Sequence, residues 1–406
     1  MKKIGLVITA VALPGEKGYS RFEFLSNFLV ENGFEVELIT TSFQHWDKKQ
    51  RDKEKIKKLN TSYKITLIDE PGYNKNIDLK RIYSHKILSK NLKKYLSKNH
   101  YDLLYCVIPD NFVAAETAKN AKEKNIPLII DVEDLWPEIM KMVFNLPIVS
   151  NLIFYPFSKA AKETYCNCSG IIGSSEEYMN YPFNKYIKNK DIPREVVYVG
   201  NEVKKFDEGV NLFSTEISKE SNEFWIIYAG TFGESYDLST LILASEILYK
   251  KGYTNIKIKL LGGGPDDLKL KTLFKEHPSN IEFLGYLPFP KMAAYLNKSN
   301  VCINSFVKKA PQSIVTKIGD YLASGNPMIN TCSSIEFKNK VEKDNFGINV
   351  EAENPEILAE AILYFYKNRD IGTQMGKNAR KIAEQQFDRP ESYKKIVNLI
   401  NKLLME

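Results

Sequence analysis

Three segments in the second half of the chain carry residue types suited to phosphate chemistry. Gly230-Thr231-Phe232-Gly233 follows an apolar, strand-like run ending at Ala229 and precedes a helix that opens near Asp237. Gly262-Gly263-Gly264-Pro265 follows a second such run ending at Leu261, with Pro265 placed as a first helical residue. Glycines let backbone N–H groups approach an oxyanion, and the helix N-terminus beyond favours its negative charge. In the third segment, Pro311 to Pro327, Ser313 can cap a helix that Gly325 ends. Lys317 and Asp320 lie three apart on one face of that helix. Such a pair could hold a pyrophosphate and accept ribose hydroxyls. It could equally be a surface ion pair worth under about 1 kcal/mol.

The elements that must position these residues are read from apolar runs alternating with helix-period segments. In the first half the runs are 4–9, 35–40, 64–68, 103–108, 128–132, 170–173 and 196–199; in the second they are 225–229, 256–261, 281–284, 301–303, 327–330 and 347–350. Continuous rather than alternating apolar runs, interleaved with helices, predict parallel sheets covered on both faces. The number of runs suits two doubly wound, Rossmann-like α/β sheets better than one. The strand rhythm pauses between Gly200 and Asn222, and a fresh strand-loop-helix start follows. The expected domains are 1–205 and 206–388, with a last helix in 389–406 packing back on the first. Ligands of such sheets bind beyond the carboxyl ends of the strands, so two of them facing each other would frame one central cleft.

Composition narrows the function. With 43% hydrophobic and 26% charged residues the chain reads as globular. No apolar run approaches the roughly 18 residues that span a bilayer. Ile4–Thr9 is short for the core of a signal peptide and reads as a buried first strand. Five cysteines and four histidines without metal-ligand or redox spacing point to reduced, metal-free chemistry in the cytoplasm. The net charge of +7 is concentrated: residues 48–98 carry 16 Lys/Arg against 5 Asp/Glu, a local +11. There Leu79, Ile82, Tyr83, Ile87, Leu92, Tyr95 and Leu96 recur at helical spacing among lysines. Such a helix could lie on an anionic membrane or pack its stripe on a sheet beneath a solvated face. No nucleic-acid-binding motif accompanies it.

The ordered set of motifs resembles the GT-B glycosyltransferases of family 4, especially those of bacterial capsule and O-antigen synthesis. Gln312 to Pro327 looks like their E-x7-E region, in the form K-[IL]-x-[ED]-Y-[LM]-A-x-G-x-P. Gly230–Gly233, Leu261–Pro265, Phe283-Leu284-Gly285-Tyr286 and Asn304-Ser305 match further landmarks in order and spacing. Near the N-terminus, the stretch Gly15 to Arg21, with Gly18 and Tyr19, looks like the family's glycine loop. Asp131-Val132-Glu133-Asp134-Leu135-Trp136-Pro137-Glu138 resembles the "DxxDLWP" element of the polysaccharide members.

The resemblance implies retaining transfer of a sugar, an N-acetylaminosugar by its nearest likeness, from a nucleotide-sugar to a lipid-linked acceptor. The donor would be UDP-linked and no metal or other cofactor is implied. Asp320 would hold the ribose, Gln312 the sugar hydroxyls, and Gly230–Gly233 with Lys317 the diphosphate. Gly262, Gly263, Gly264, Pro265, Tyr286, Ser305, Ser313 and Ile314 would complete the donor side, with Tyr286 near the base. Glu133 would stand near the family's catalytic histidine of the N-terminal domain. Gly15, Gly18, Tyr19, Arg21, Asp131, Asp134 and Trp136 would form the acceptor side. The expected place of action is the inner face of a bacterial membrane, reached through the basic 48–98 block. Two departures stand out: Gln312 and Asp320 replace the two glutamates, and Thr231 and Ser235 stand where an Arg and a Lys are usual. They leave open a non-catalytic nucleotide-sugar-binding partner subunit, alongside a nucleotide-sugar epimerase or phosphorylase.

Overall fold

The computed structural model describes all residues except 19, 77, 139–146, 189–190, 311–313 and 406. The chain divides into two compact units, Met1–Val197 with Tyr393–Glu406, and Tyr198–Ser392. The first boundary falls before residue 205 because the helix Val203–Phe213 buries Val203 and Phe206 in the core of the second unit. The second falls after 388 because Arg389 Nε donates to Val199 O within that unit.

The first unit holds β1 (Lys3–Val7), β2 (Glu35–Thr41), a small hairpin of β3 (Phe43–Gln44) and β4 (Lys49–Gln50), β5 (Lys64–Ile68), β6 (Leu103–Ile108), β7 (Leu128–Val132), β8 (Gly170–Gly173) and β9 (Arg194–Val196). Seven of these form a parallel sheet in the order β5-β2-β1-β6-β7-β8-β9. Every residue of β6 and β7 is buried, as strands sandwiched between helix layers require. On one face the helix Leu79–Lys98 buries Leu88, Leu92 and Leu96. On the other the last helix, Lys394–Met405, buries Ile396, Leu399, Ile400 and Leu403. A Cβ on Gly170 would come within 3.2 Å of Leu403, so the bare strand is what admits that helix.

The second unit holds β10 (Phe224–Thr231), β11 (Ile256–Gly263), β12 (Ile281–Gly285), β13 (Val301–Asn304), β14 (Met328–Asn330) and β15 (Gly347–Asn349). They form a parallel sheet in the order β12-β11-β10-β13-β14-β15. Strand order therefore reverses between β1 and β6 in one unit and between β10 and β13 in the other. Crevices at such switch points, beyond the carboxyl ends, are where doubly wound sheets hold ligands.

Candidate functional site

In the second unit the two glycine turns are brought side by side, because β10 and β11 pair in register from Phe224↔Ile256 to Thr231↔Gly263. Their closeness explains the glycines. Gly262 has φ +124°, and a Cβ there would sit 1.8 Å from Gly230 O; one on Gly264 would sit 2.3 Å from Phe232 O. Phe232 N–H donates to Gly263 O and Asp266 N–H to Phe232 O, locking one turn to the other. Thr231, Gly264 and Pro265 stay exposed at this edge.

The helix Lys317–Ala323 is tied to the same strand. Tyr321 Oη donates to Ala229 O at 3.0 Å and accepts the Ala229 N–H at 2.8 Å. One turn earlier, Lys317 Nζ is enclosed by the rings of Tyr236, Tyr228 and Phe306, at 4.2, 4.3 and 5.1 Å from their centroids. It has no hydrogen-bond partner among the described residues. Burial brings its pKa down to about 7. Aromatic faces attract a cation, but they supply no lone pair and no counter-charge. Asp320 Oδ1 accepts Asn201 Nδ2 at 2.9 Å, and burial raises its pKa to about 6. The two groups are thus no surface ion pair; each sits in its own desolvated place.

Other donor-side expectations are redirected. Phe232 is buried against Tyr228 and Phe283, so its ring belongs to the core rather than to a ligand. Ser305 is fully buried and donates to Asp237 O, which steadies the start of the helix Leu238–Lys250. Ile314 packs against the unit's core. Tyr286, past the end of the edge strand β12, is 86% exposed. Gln312 and Ser313 lie outside the described residues, as does Tyr19.

In the first unit Arg21 and Asp131 are interior residues, not the open acceptor side expected of them. Arg21 is fully buried; its Nη2 stands 2.9 Å from Asp131 Oδ2, its Nη1 meets Glu133, and its Nε donates to Tyr393 Oη at 3.0 Å. Tyr105 Oη also donates to Asp131. Desolvation opposes the Arg21 charge, but Asp131, Tyr393 and Glu133 outweigh it. Burial raises the Glu133 pKa to about 7 against the pull of Arg21, while the side chain keeps some exposure. Gly18 has φ +134° and leaves room for Trp46, whose ring would lie 2.6 Å from a Cβ; Gly15 has φ +83° and open space around it.

A pocket of about 300 Å³ opens at the β1/β6 switch point. Asp134 and Trp136, both expected at a site, line it, together with Glu70, Arg81, His85 and Asp110. His85 Nδ1 bonds Asp110, whose other oxygen caps the helix Asn111–Lys124 through the Phe112 and Val113 N–H groups. Burial opposes the Asp110 charge, yet His85 and these amides hold its pKa below the ordinary range. Burial raises the Asp134 pKa, offset in part by the Leu135 N–H. Arg81 spans the Tyr73 and Trp136 rings, at 5.3 and 4.8 Å. Carboxylates, a histidine, a guanidinium and flat apolar rings are the means by which proteins grip a polyhydroxylated ligand. Sequence reading missed His85, Asp110, Glu70 and Arg81. The available signal was Asp110, a helix-capping acid at the carboxyl end of a fully apolar strand. Among the described residues there is no group of three His, Cys, Asp or Glu side chains placed to hold a metal ion.

Comparison with known proteins adds to this geometry. Residues 223–368, spanning β10 to the helix Pro355–Lys367 and so both glycine turns and Lys317, match the family described as "Glycosyl transferases group 1". An uncharacterized glycosyltransferase of Methanocaldococcus jannaschii, MJ1069, is 23% identical over 257 residues. That match takes in 63% of this chain and 64% of that protein. Among solved structures, sucrose-phosphate synthase of Thermosynechococcus elongatus aligns with a TM-score of 0.73 at 16% identity, covering 100% of both chains. Anabaena Alr3699/HepE in complex with UDP aligns at 0.71 and 14% identity, covering 98% of this chain and 100% of that one. The fold is therefore of the GT-B type, with two parallel-sheet α/β domains.

Proposed function

We propose that this protein is a glycosyltransferase that moves a sugar, with retention of configuration, from a UDP-sugar to a lipid-linked glycan acceptor. The observation that carries the reading is the convergence of the two glycine turns and Lys317 on the end of β10, inside the segment matched to the transferase family. In this reading the turn amides and Lys317 take the donor diphosphate and Asp320 takes the ribose hydroxyls. Amide dipoles and an ammonium in a dry site offset the charge that builds on the leaving diphosphate as the glycosidic bond breaks. Gln312 is assigned to the donor sugar, and Glu133 is the catalytic group of the first unit. The β1/β6 pocket, through Asp134 and Trp136, takes the acceptor sugar, and holding its hydroxyl at the anomeric carbon supplies the rest of the rate.

An N-acetylaminosugar donor, a role in bacterial capsule or O-antigen synthesis and action at the inner membrane face complete the proposal. No resident cofactor enters it. The exposed lysines of 48–98 would supply long-range attraction to anionic lipid. No helix among the described residues is long and apolar enough to cross a membrane.

The test is a thermal-shift panel of UDP, GDP, ADP, CMP and NAD on the parent and on Asp320→Ala. A ligand at 100 times its dissociation constant stabilises by about 2.7 kcal/mol. The expected result is a shift with UDP that Asp320→Ala reduces, through an affinity loss of about 1.5–3 kcal/mol for a hydrogen bond to a charged group. Equal shifts in both proteins would refute the Asp320 assignment. No shift with any nucleotide would favour the non-catalytic partner subunit.

A further inference from the structure

The basic helix Leu79–Lys98 buries Leu88, Leu92 and Leu96 in the core of the sheet and leaves only Leu79 and Tyr83, in its first turns, as exposed large apolar side chains. A different surface of the first unit leaves its apolar side chains uncovered. At the end of the helix Pro147–Ile153 and the start of the helix Tyr155–Cys166, Leu152 is 79% exposed, Ile153 47% and Tyr155 64%. Tyr155, Lys159 and Lys162 follow one another at spacings of four and three, hence on one helical face. They line an open groove of about 940 Å³ together with Glu163, with Lys185 at the end of the helix Glu176–Lys185, and with Lys188 just beyond it.

Charge on this surface is unbalanced. Lys185 is paired with Glu138, and Glu163 accepts the Asn167 side-chain amide. Lys159, Lys162 and Lys188 have no acidic partner within 4.0 Å among the described residues. Contiguous exposed Leu, Ile and Tyr rimmed by cations mark an interaction site. The combination suits one occupant in particular. Tyrosine prefers the boundary between hydrocarbon and water, and lysine stems lie along apolar surface while their heads reach phosphate.

We propose that this surface docks on an anionic phospholipid bilayer, with Leu152, Ile153 and Tyr155 entering the headgroup region and Lys159, Lys162 and Lys188 over lipid phosphates. It rests on the transferase reading only for its purpose, bringing the enzyme to a lipid-linked acceptor. The lysines of 79–98 attract from a distance, whereas this surface makes the contact.

Flotation with equimolar phosphatidylglycerol–phosphatidylcholine vesicles and with pure phosphatidylcholine vesicles tests it, without sugar or nucleotide. The parent is expected to float with the anionic vesicles and not with the neutral ones. Lys159→Glu/Lys162→Glu/Lys188→Glu should lower partitioning by at least about a hundredfold, at about fivefold per lysine. Leu152→Ser/Ile153→Ser keeps every charge and should lower it as well. Both variants replace exposed side chains, and their unfolding midpoints without ligand, compared with the parent's, check their fold. Parent-like flotation of both variants, or no flotation of the parent, would overturn the proposal. So would a self-association of the parent that Leu152→Ser/Ile153→Ser abolishes without any vesicle binding. Flotation as expected with no shift from any nucleotide of the panel would count against the transferase reading and leave the docking surface standing.

Discussion

Arg21 in the first unit and Lys317 in the second are both cations withdrawn from water, and their surroundings are opposite. Arg21 meets two carboxylates and a tyrosine hydroxyl, which supply counter-charge within the fold although its Nη2 makes no hydrogen bond. Lys317 meets four aromatic rings, those of Tyr236, Tyr228, Phe306 and, farther off, Tyr321, and no hydrogen-bond acceptor among the described residues. A buried charge without a partner is costly, and this one lies in the segment matched to the family described as "Glycosyl transferases group 1". The difference lies in counter-charge: two carboxylates stand beside Arg21, whereas at Lys317 the counter-charge is what the proposed diphosphate would supply.

The largest test of the contrast is at Arg21. Arg21→Met leaves Asp131 and Glu133 buried and uncompensated, and should remove about 3–5 kcal/mol of stability in urea unfolding at pH 8. The deficit should shrink as the pH falls, because protonating the two carboxyls removes the stranded charge. A loss below about 1 kcal/mol would deny the network its structural role. At Lys317 the sign reverses. Lys317→Met fits the aromatic cage, and unfolding should show unchanged or higher stability. UDP affinity measured by calorimetry should drop by about 1.5–3 kcal/mol, the worth of a charge-assisted hydrogen bond. A destabilised variant that binds UDP normally would make Lys317 as structural as Arg21.

A finer effect follows from pH. In the proposed role Asp320 accepts ribose hydroxyls as a carboxylate, and with burial raising its pKa to about 6 that capacity should be lost as the pH falls through 6. In the proposed role Lys317 holds a diphosphate as the ammonium, and with burial lowering its pKa to about 7 that should be lost as the pH rises through 7. UDP affinity should peak between the two and fall by up to tenfold per unit on either side. A diphosphate raises the pKa of the lysine it binds, so binding on the alkaline side should take up a proton. Calorimetry in buffers of different ionisation enthalpy measures this uptake. A flat profile from pH 5 to 8 would detach both residues from the nucleotide.

Most of the sheet was legible in the sequence because parallel strands covered on both faces must be apolar throughout. The strands 64–68, 103–108, 128–132 and 170–173 stand where their apolar runs end. The hairpin of β3 and β4 was not legible, since two-residue strands carry no periodicity. In the second unit the glycine turns were readable because backbone approach of 1.8–2.3 Å to a would-be Cβ leaves no other residue type. In the first, the acidic run 131–134 was readable as chemistry but not in its roles. Alternate residues of β7 and the turn after it point to different places, so Asp131 serves an interior ion pair while Asp134 lines a pocket.

By itself the sequence determined the two doubly wound sheets, the glycine turns and the presence of Lys317 and Asp320 on one short helix. Period, chain-local sterics and helical spacing are enough for these. Tertiary structure alone decided which charges are paired. It set Arg21 beside Glu133 and Tyr393, 112 and 372 residues away, and His85 beside Asp110. It sealed Lys317 among Tyr228, Tyr236 and Phe306, and turned Leu92 and Leu96 of the basic helix inward while leaving Leu79, Tyr83, Leu152, Ile153 and Tyr155 outside. The physical reason is that a charge or an apolar face is given its role by whatever desolvates or neutralises it, and those groups come from distant parts of the chain.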